Sequence, residues 1–248
     1  MKRTNLIWAL FVLSSALSFG QKEYEMVIEK TDGTELVFNT EDVVRSYFRE
    51  KNQNHGYTSC PDSNHPHMID LGLPNGTKWA CCNVGAHSPE QNGGYYAWGE
   101  VSEKAGYYWE TYQYWDNLVS IDSDIGSDIA GTQYDVAHVQ WGGSWVMPSL
   151  DQIKELLDYC SSEWTTENGV YGMRFTGSNG GSVFLPAAGN RWYDGLYNVG
   201  SWGCYWSSTR NPDDLFLAVV LDFGKGFALW ERSYYRYRGQ SVRPVVRN

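Results

Sequence analysis

From residue 24 the chain reads as short extended runs. Tyr24, Met26 and Ile28 alternate with Glu25, Val27 and Glu29. Thr31-Asp32-Gly33-Thr34 marks a turn, and Glu35 to Phe38 resumes the pattern, which predicts a β-hairpin. Residues 41–50 fit a third strand or a short helix, and residues 51–66 are polar and read as a linker. Strands are then expected at 68–73 and 77–84, around the turn Pro74-Asn75-Gly76. Further extended runs lie at 170–175, 182–185, 215–223, 227–230 and 241–246. Leu215 to Leu221 is almost all apolar, as in a central strand buried on both faces. Residues 93–100 read as extended, with glycines marking a tight backbone approach. One helix is expected at 150–160. Ser149 is its N-cap and Gln152 its capping-box partner, while Ile153, Leu156, Leu157 and Cys160 form its apolar stripe. Residues 101–135 have little periodicity, and a loop of that length is usually functional or packed by its own side chains. The pattern gives an α+β domain over 67–248, with short antiparallel strands, few helices and long aromatic loops.

The start of the chain changes the picture. Lys2 and Arg3 precede an apolar stretch from Leu6 to Leu17, and Ser18 and Gly20 stand before Gln21. This is the layout of a secretory signal peptide over 1–20, which leaves 21–50 as a small N-terminal β unit. The expected destination is the periplasm, the cell surface or the medium, where thiols meet oxidising conditions. Five cysteines follow, Cys60, Cys81, Cys82, Cys160 and Cys204, so at least one is free or bridges to another chain. A bridge from Cys82 to Cys160 is one pairing, and simple buried thiols are the other reading. Net charge is −10 with no basic block, which speaks against nucleic acid and anionic lipid as partners. No apolar run reaches the length of a membrane-spanning helix, so the mature chain is not expected to insert.

Several segments then become recognisable. They are Asp70-Leu71-Gly72-Leu73-Pro74-Asn75-Gly76-Thr77-Lys78-Trp79-Ala80, Asn83-Val84-Gly85-Ala86 and Gly94-Tyr95-Tyr96-Ala97-Trp98-Gly99-Glu100, followed by Tyr134-Asp135-Val136-Ala137 and Trp141-Gly142-Gly143-Ser144-Trp145-Val146-Met147-Pro148. Phe184-Leu185-Pro186-Ala187-Ala188-Gly189, Tyr205-Trp206-Ser207-Ser208 and Ser241-Val242-Arg243-Pro244-Val245 complete the set. In this order they resemble the Fibrobacter succinogenes major paralogous domain over about 67–248. Residues 26–50 look like the short β segment that precedes it in exported proteins of Bacteroidetes-type bacteria. The resemblance implies a C-type-lectin-like fold related to the formylglycine-generating (sulfatase-modifying) group, and no known activity. Family members usually carry Arg where this chain has Val146. Some relatives are variable proteins of diversity-generating retroelements, and residues 190–240 share that texture.

Aromatic residues make up 16% of the chain, and they are dense at 191–237. Trp192, Tyr193, Tyr197, Trp202, Trp230, Tyr234, Tyr235 and Tyr237 are therefore the candidate ligand-binding residues, because flat amphipathic rings stack on sugars and anchor protein interfaces. The run Tyr234-Tyr235-Arg236-Tyr237-Arg238 cannot bury every member on one face. Trp206 and Phe223 are expected in the core, and Arg243 in a buried ion pair. Asp122, Asp124 and Asp128 crowd one loop with Gly126 and are the candidate calcium ligands, although their spacing misses the EF-hand. No cofactor is otherwise expected. His65 and His67 read as linker residues without a ligand set. A redox enzyme would have to rest on Cys204, with His138 the nearest His of the main domain. No G-x-S-x-G elbow and no spaced acid pair is present. The reading is a noncatalytic, exported ligand-binding or adhesion protein whose partner is a glycan or a protein. The alternatives are a subunit of a surface assembly or a retroelement variable protein.

Overall fold

The computed structural model describes residues 25–29, 35–39, 67–115 and 125–246. The chain divides into two units, residues 1–51 and 52–248. In the first, β1 (Glu25–Glu29) pairs antiparallel with β2 (Glu35–Asn39), with Met26 opposite Phe38 and Ile28 opposite Leu36. This is the hairpin that the alternation predicts. The signal-peptide segment, residues 41–50 and the linker lie outside the described residues.

The second unit is built mainly of antiparallel sheets. β3 (Met68–Asp70) and β4 (Lys78–Ala80) join two short strands from distant parts of the chain, β5 (Trp145–Val146) and β15 (Val245–Val246), in the order β3-β4-β15-β5. β6 (Ser161–Glu167), β7 (Val170–Thr176) and β8 (Ser182–Pro186) form a meander. β9 (Asn190–Trp192) and β10 (Gly195–Tyr197) form a hairpin. The last sheet pairs β11 (Trp202–Arg210) with β12 (Leu217–Gly224), and β12 takes both β13 (Phe227–Leu229) and β14 (Ser233–Tyr235).

β12 is the expected doubly buried strand from Leu217 on, while Leu215 and Phe216, expected within it, precede it and are exposed; its two faces feed two cores. Cys204, Trp206, Ala218 and Val220 pack with Trp98, Trp145 and Val242. Tyr205, Leu221 and Phe223 pack with Leu156, Phe175 and Leu185. A sheet covered on both sides needs the near-continuous apolar run seen in β12. Trp206 and Phe223 are fully buried.

Two helices lie among the described residues. α2 (Leu150–Tyr159) begins at Ser149 with the capping box to Gln152. Ile153 and Leu156 are buried, and so is Glu155, which the apolar stripe did not foresee. Its carboxylate accepts from Asn75 N at 2.5 Å and from Thr77 Oγ1 at 2.7 Å, tying the helix to the turn before β4. α1 (Val136–Trp141) is too short to show a helical period, and its signal is the cap alone. The Asp135 carboxylate accepts from the N–H groups of Ala137, His138, Gly131 and Met147. Burial pushes that carboxyl above its usual range, opposed by the four N–H groups that favour the ionised form.

The 93–100 segment makes single ladder contacts instead of forming a strand. Tyr96 exchanges backbone bonds with Gln240, and Trp98 N donates to Arg236 O. The expected close approach is real, since a Cβ at Gly93 would lie 2.3 Å from the Val84 carbonyl oxygen. Residues 241–246 narrow to the two-residue β15 because their carbonyls serve different neighbours, with Ser241 O bonded to Trp206 and Val242 O to Val84.

Two expectations are corrected. Cys82 is disulfide-bonded, but Cys160 and Cys204 are free thiols. The bridge is therefore not Cys82 to Cys160, and the partner of Cys82 lies outside the described residues. Arg243 is fully buried, yet its partners are neutral oxygens. Asn83 Oδ1 accepts at 2.7 Å, Cys81 O at 2.8 Å and Ala80 O at 3.1 Å. Neutral amide oxygens of the backbone and of the Asn83 side chain, not a carboxylate, satisfy this guanidinium. Val146, where the resembled family carries Arg, is buried in β5 opposite Val245.

Candidate functional site

The site starts at the β9–β10 hairpin. Its two-residue turn, Tyr193-Asp194, places Tyr193 at φ 53°, at a position where hairpins favour Gly. A bulky residue in this region is a strained choice. Its ring is half exposed, stacked on Trp192 at 4.8 Å between centroids and 5.1 Å from Tyr108. Tyr107 and Tyr193 exchange backbone hydrogen bonds, which fixes the hairpin tip against the 107–108 segment. The Tyr108 hydroxyl is hydrogen-bonded to Asp194, and that carboxylate holds the phenol up at about 12. Tyr197 lies 6.4 Å from Trp192.

A second group lies beside it, on a 3-10 turn at Trp109–Thr111. Trp109 stacks on Trp115 at 4.7 Å and meets Tyr237, Phe216 and Tyr235 edge-on at 4.6, 5.6 and 5.7 Å. Tyr235 in turn stacks on Tyr237 at 5.6 Å. Trp192 Nε1 donates to the Tyr237 hydroxyl at 3.1 Å, and this bond joins the two groups into one aromatic ribbon. Tyr193, Tyr197 and Tyr235 are 47%, 46% and 44% exposed, and Phe216 is also exposed. Rings pinned by other rings lose little entropy when a ligand settles on them.

The eight sequence-derived candidates therefore separate. Trp192, Tyr193, Tyr197 and Tyr235 form the accessible part of the ribbon. Tyr237 is a correction, because it is only 5% exposed under Trp109 and Tyr235 and supports the ribbon from below. Trp202 belongs elsewhere. Its Nε1 donates to Asp222, and its ring packs on Phe227 at 4.9 Å with the Arg232 guanidinium at 5.1 Å. Trp230 is half-buried under the Lys154 ammonium at 4.3 Å. Tyr234 is half-buried and reaches the ribbon only through Arg238, which lies over Trp192 at 4.4 Å and Tyr234 at 5.3 Å. In the run 234–238, Tyr235 faces out while Arg236 is buried against Trp98 at 4.6 Å.

Tyr108, Trp109, Trp115 and Phe216 were not among the candidates. The signal for the first three is plain in retrospect, since Tyr107, Tyr108, Trp109, Tyr112, Tyr114 and Trp115 crowd one short stretch of the aperiodic loop. Phe216 had none, because it continues an apolar run that reads as core.

The other candidate chemistry is constrained. Cys204 stands opposite Asp222 in the sheet and is fully buried. Burial, with the Asp222 carboxylate beside it, pushes the thiol well above its ordinary value and disfavours the nucleophilic thiolate. Among the described residues, no group of three or more His, Cys, Asp or Glu side chains is placed to hold a metal. Asp128 accepts from Ala130 N at 3.0 Å, while Asp122 and Asp124 lie outside the described residues. A scan against protein-family models, a search of curated proteins and a search of solved structures each return no match.

Proposed function

We propose that this chain is an exported, noncatalytic binding protein whose C-type-lectin-like domain recognises a glycan or a protein through the aromatic ribbon. One observation carries the reading. Partly exposed rings of Tyr193, Tyr197, Phe216 and Tyr235 are held in place by other rings, and one of them sits in a strained backbone conformation. Strain maintained at an exposed aromatic residue contributes nothing to the core, so its benefit lies with what the ring meets. Recognition then proceeds by stacking on a preformed surface, with hydrogen bonds from the phenol hydroxyls. The burial of Cys204 argues against a redox centre there.

A second reading rests on the N-terminal hairpin. Among the described residues β1 and β2 pair only with each other, so each has an outer edge on which a partner's strand adds. In that case the chain is a subunit of a surface assembly, and removing residues 21–50 dissolves the oligomer.

The test of the first reading is a glycan array with the purified chain, run in calcium and in chelator, beside a pull-down from the host surface. Tyr193→Ala and Tyr235→Ala are expected to lose the captured ligand at unchanged melting temperature. Full binding by both variants contradicts the reading. Loss of binding in chelator brings the loop around Asp128 back as a calcium site.

A further inference from the structure

The ribbon does not end at Tyr197. Two residues on, Val199 and Gly200 form one wall of an open groove of about 440 Å³, within the ~300–1,000 Å³ usual for small-ligand sites. Glu90, Gln91 and Asn92 line it as well, and Tyr171 stands at its side. We propose that this groove is a second subsite continuous with the ribbon, and that the two together take a neutral, linear oligosaccharide. The inference rests on the binding reading above and commits it to a sugar.

Three observations support it. The first is the placement of Tyr171. On β7 it shares a face with Met173 and Phe175, both buried, but it stands where the core ends and is 52% exposed. Its ring lies nearly parallel to Trp164, at 6.1 Å and 12°, so a backed aromatic platform borders the groove. The second is the anchoring of the polar groups. Gln91 Oε1 accepts from His87 N at 2.9 Å, which leaves the amide nitrogen as its donor end. The Asn92 side chain is hydrogen-bonded to the Tyr95 hydroxyl, and the Asn92 backbone carbonyl accepts from Asn83 Nδ2 at 2.8 Å. Planar amides fixed in this way recognise hydroxyl groups at little entropic cost. The third is charge. Among the described residues Glu90 is the only charged one lining the groove, and the whole chain carries −10, so sulfated or uronate glycans are repelled and neutral ones are not.

The two walls of the groove are tied to each other, and one of them follows Tyr197 of the ribbon in the chain. Ala187 N donates to Tyr171 O at 2.8 Å, and Gly200 N donates to Ala187 O at 2.8 Å. A ligand long enough to stack on Tyr193 and Tyr197 and to reach the groove meets Tyr171 there, and short ligands fill only one end.

Isothermal titration calorimetry with cello-, xylo-, manno- and malto-oligosaccharides, from disaccharide to hexasaccharide, tests this. Oligogalacturonate serves as the acidic counterpart. The full chain is expected to bind at least one neutral series with affinity rising with length, and to ignore the acidic one. Tyr171→Ala and Gln91→Ala, both at exposed positions, are each expected to lose roughly tenfold on the hexasaccharide and nothing on the disaccharide. Tyr193→Ala is expected to weaken every length. Affinity that is flat with length, or wild-type hexasaccharide binding by both groove variants, overturns the groove and leaves the ribbon standing. Failure of every neutral series overturns the groove and the sugar reading together, while a protein captured by the ribbon would survive it.

Discussion

Trp206 and Tyr193 lie in the same C-terminal half, and both belong to aromatic-rich stretches, yet they do opposite work. Trp206 is fully buried, and its indole N–H ends on the Tyr96 carbonyl at 2.7 Å. The same holds for four more interior rings. Trp98 Nε1 donates to Ser207 O, Tyr112 to Trp98 O, Tyr205 to Pro186 O and Tyr95 to Ala188 O, all between 2.6 and 2.9 Å. Each of these rings ties its polar tip to a backbone carbonyl, so burying it also fixes the chain that carries that carbonyl; Trp79 and Trp145 are buried with indole N–H groups that have no partner among the described residues. Around Tyr193 the rings touch rings, and the sites of greatest exposure are phenols facing water. What separates a structural aromatic from a candidate binding aromatic here is where its polar end goes, not its residue type.

The largest expected effect breaks the interior side of this comparison. Trp206→Ala removes a full side chain and leaves Tyr96 O with Gln240 N as its donor, and about 3–5 kcal/mol of stability should be lost in urea denaturation. Arg243→Leu should follow at about 3 kcal/mol, because orphaned buried acceptors cost ~1–3 kcal/mol each and Asn83, Ala80 and Cys81 lose their donor together.

Alkali probes the same interior without a mutation. Burial pushes Tyr96, Tyr107 and Tyr234 each up to about 12, above the ordinary phenol value of 10. The folded state therefore keeps protons that the unfolded chain gives up. Stability should be fully present below pH 10 and fall as pH rises from there toward 12. Denaturation curves over that window check the sign, and stability that holds or rises would refute it.

The smallest effect on folding sharpens the other side. In Tyr193→Asn, relief of ~1–3 kcal/mol of backbone strain offsets the ~0.5–1.5 kcal/mol of lost stacking on Trp192. The melting temperature should hold or rise while ligand binding weakens. A large drop in melting temperature would make Tyr193 a structural residue.

Much of the fold was legible where period or cap chemistry speaks locally. The hairpin at 25–39, α2 with its Ser149–Gln152 box, and the apolar run of β12 all appear as expected. β6 was not legible, since Ser161–Glu167 alternates weakly and owes its form to pairing with β7. α1 escaped because a single turn and a half carries no period. In the site, aromatic density at 191–237 marked half of the ribbon. The other half comes from a loop nearly a hundred residues earlier, and no local pattern shows that Trp109 meets Tyr235 and Tyr237. Density alone also could not tell Trp202 and Trp230, which pack on charged neighbours, from Tyr193, which faces water.

The most direct measurement is hydroxyl-radical footprinting of the chain, free and with the ligand it retains. The account predicts that oxidation of Tyr193, Tyr197, Phe216 and Tyr235 slows on binding, while Trp98 and Trp206 stay silent in both states. Protection elsewhere, with these four residues oxidised as fast as in the free chain, would contradict it.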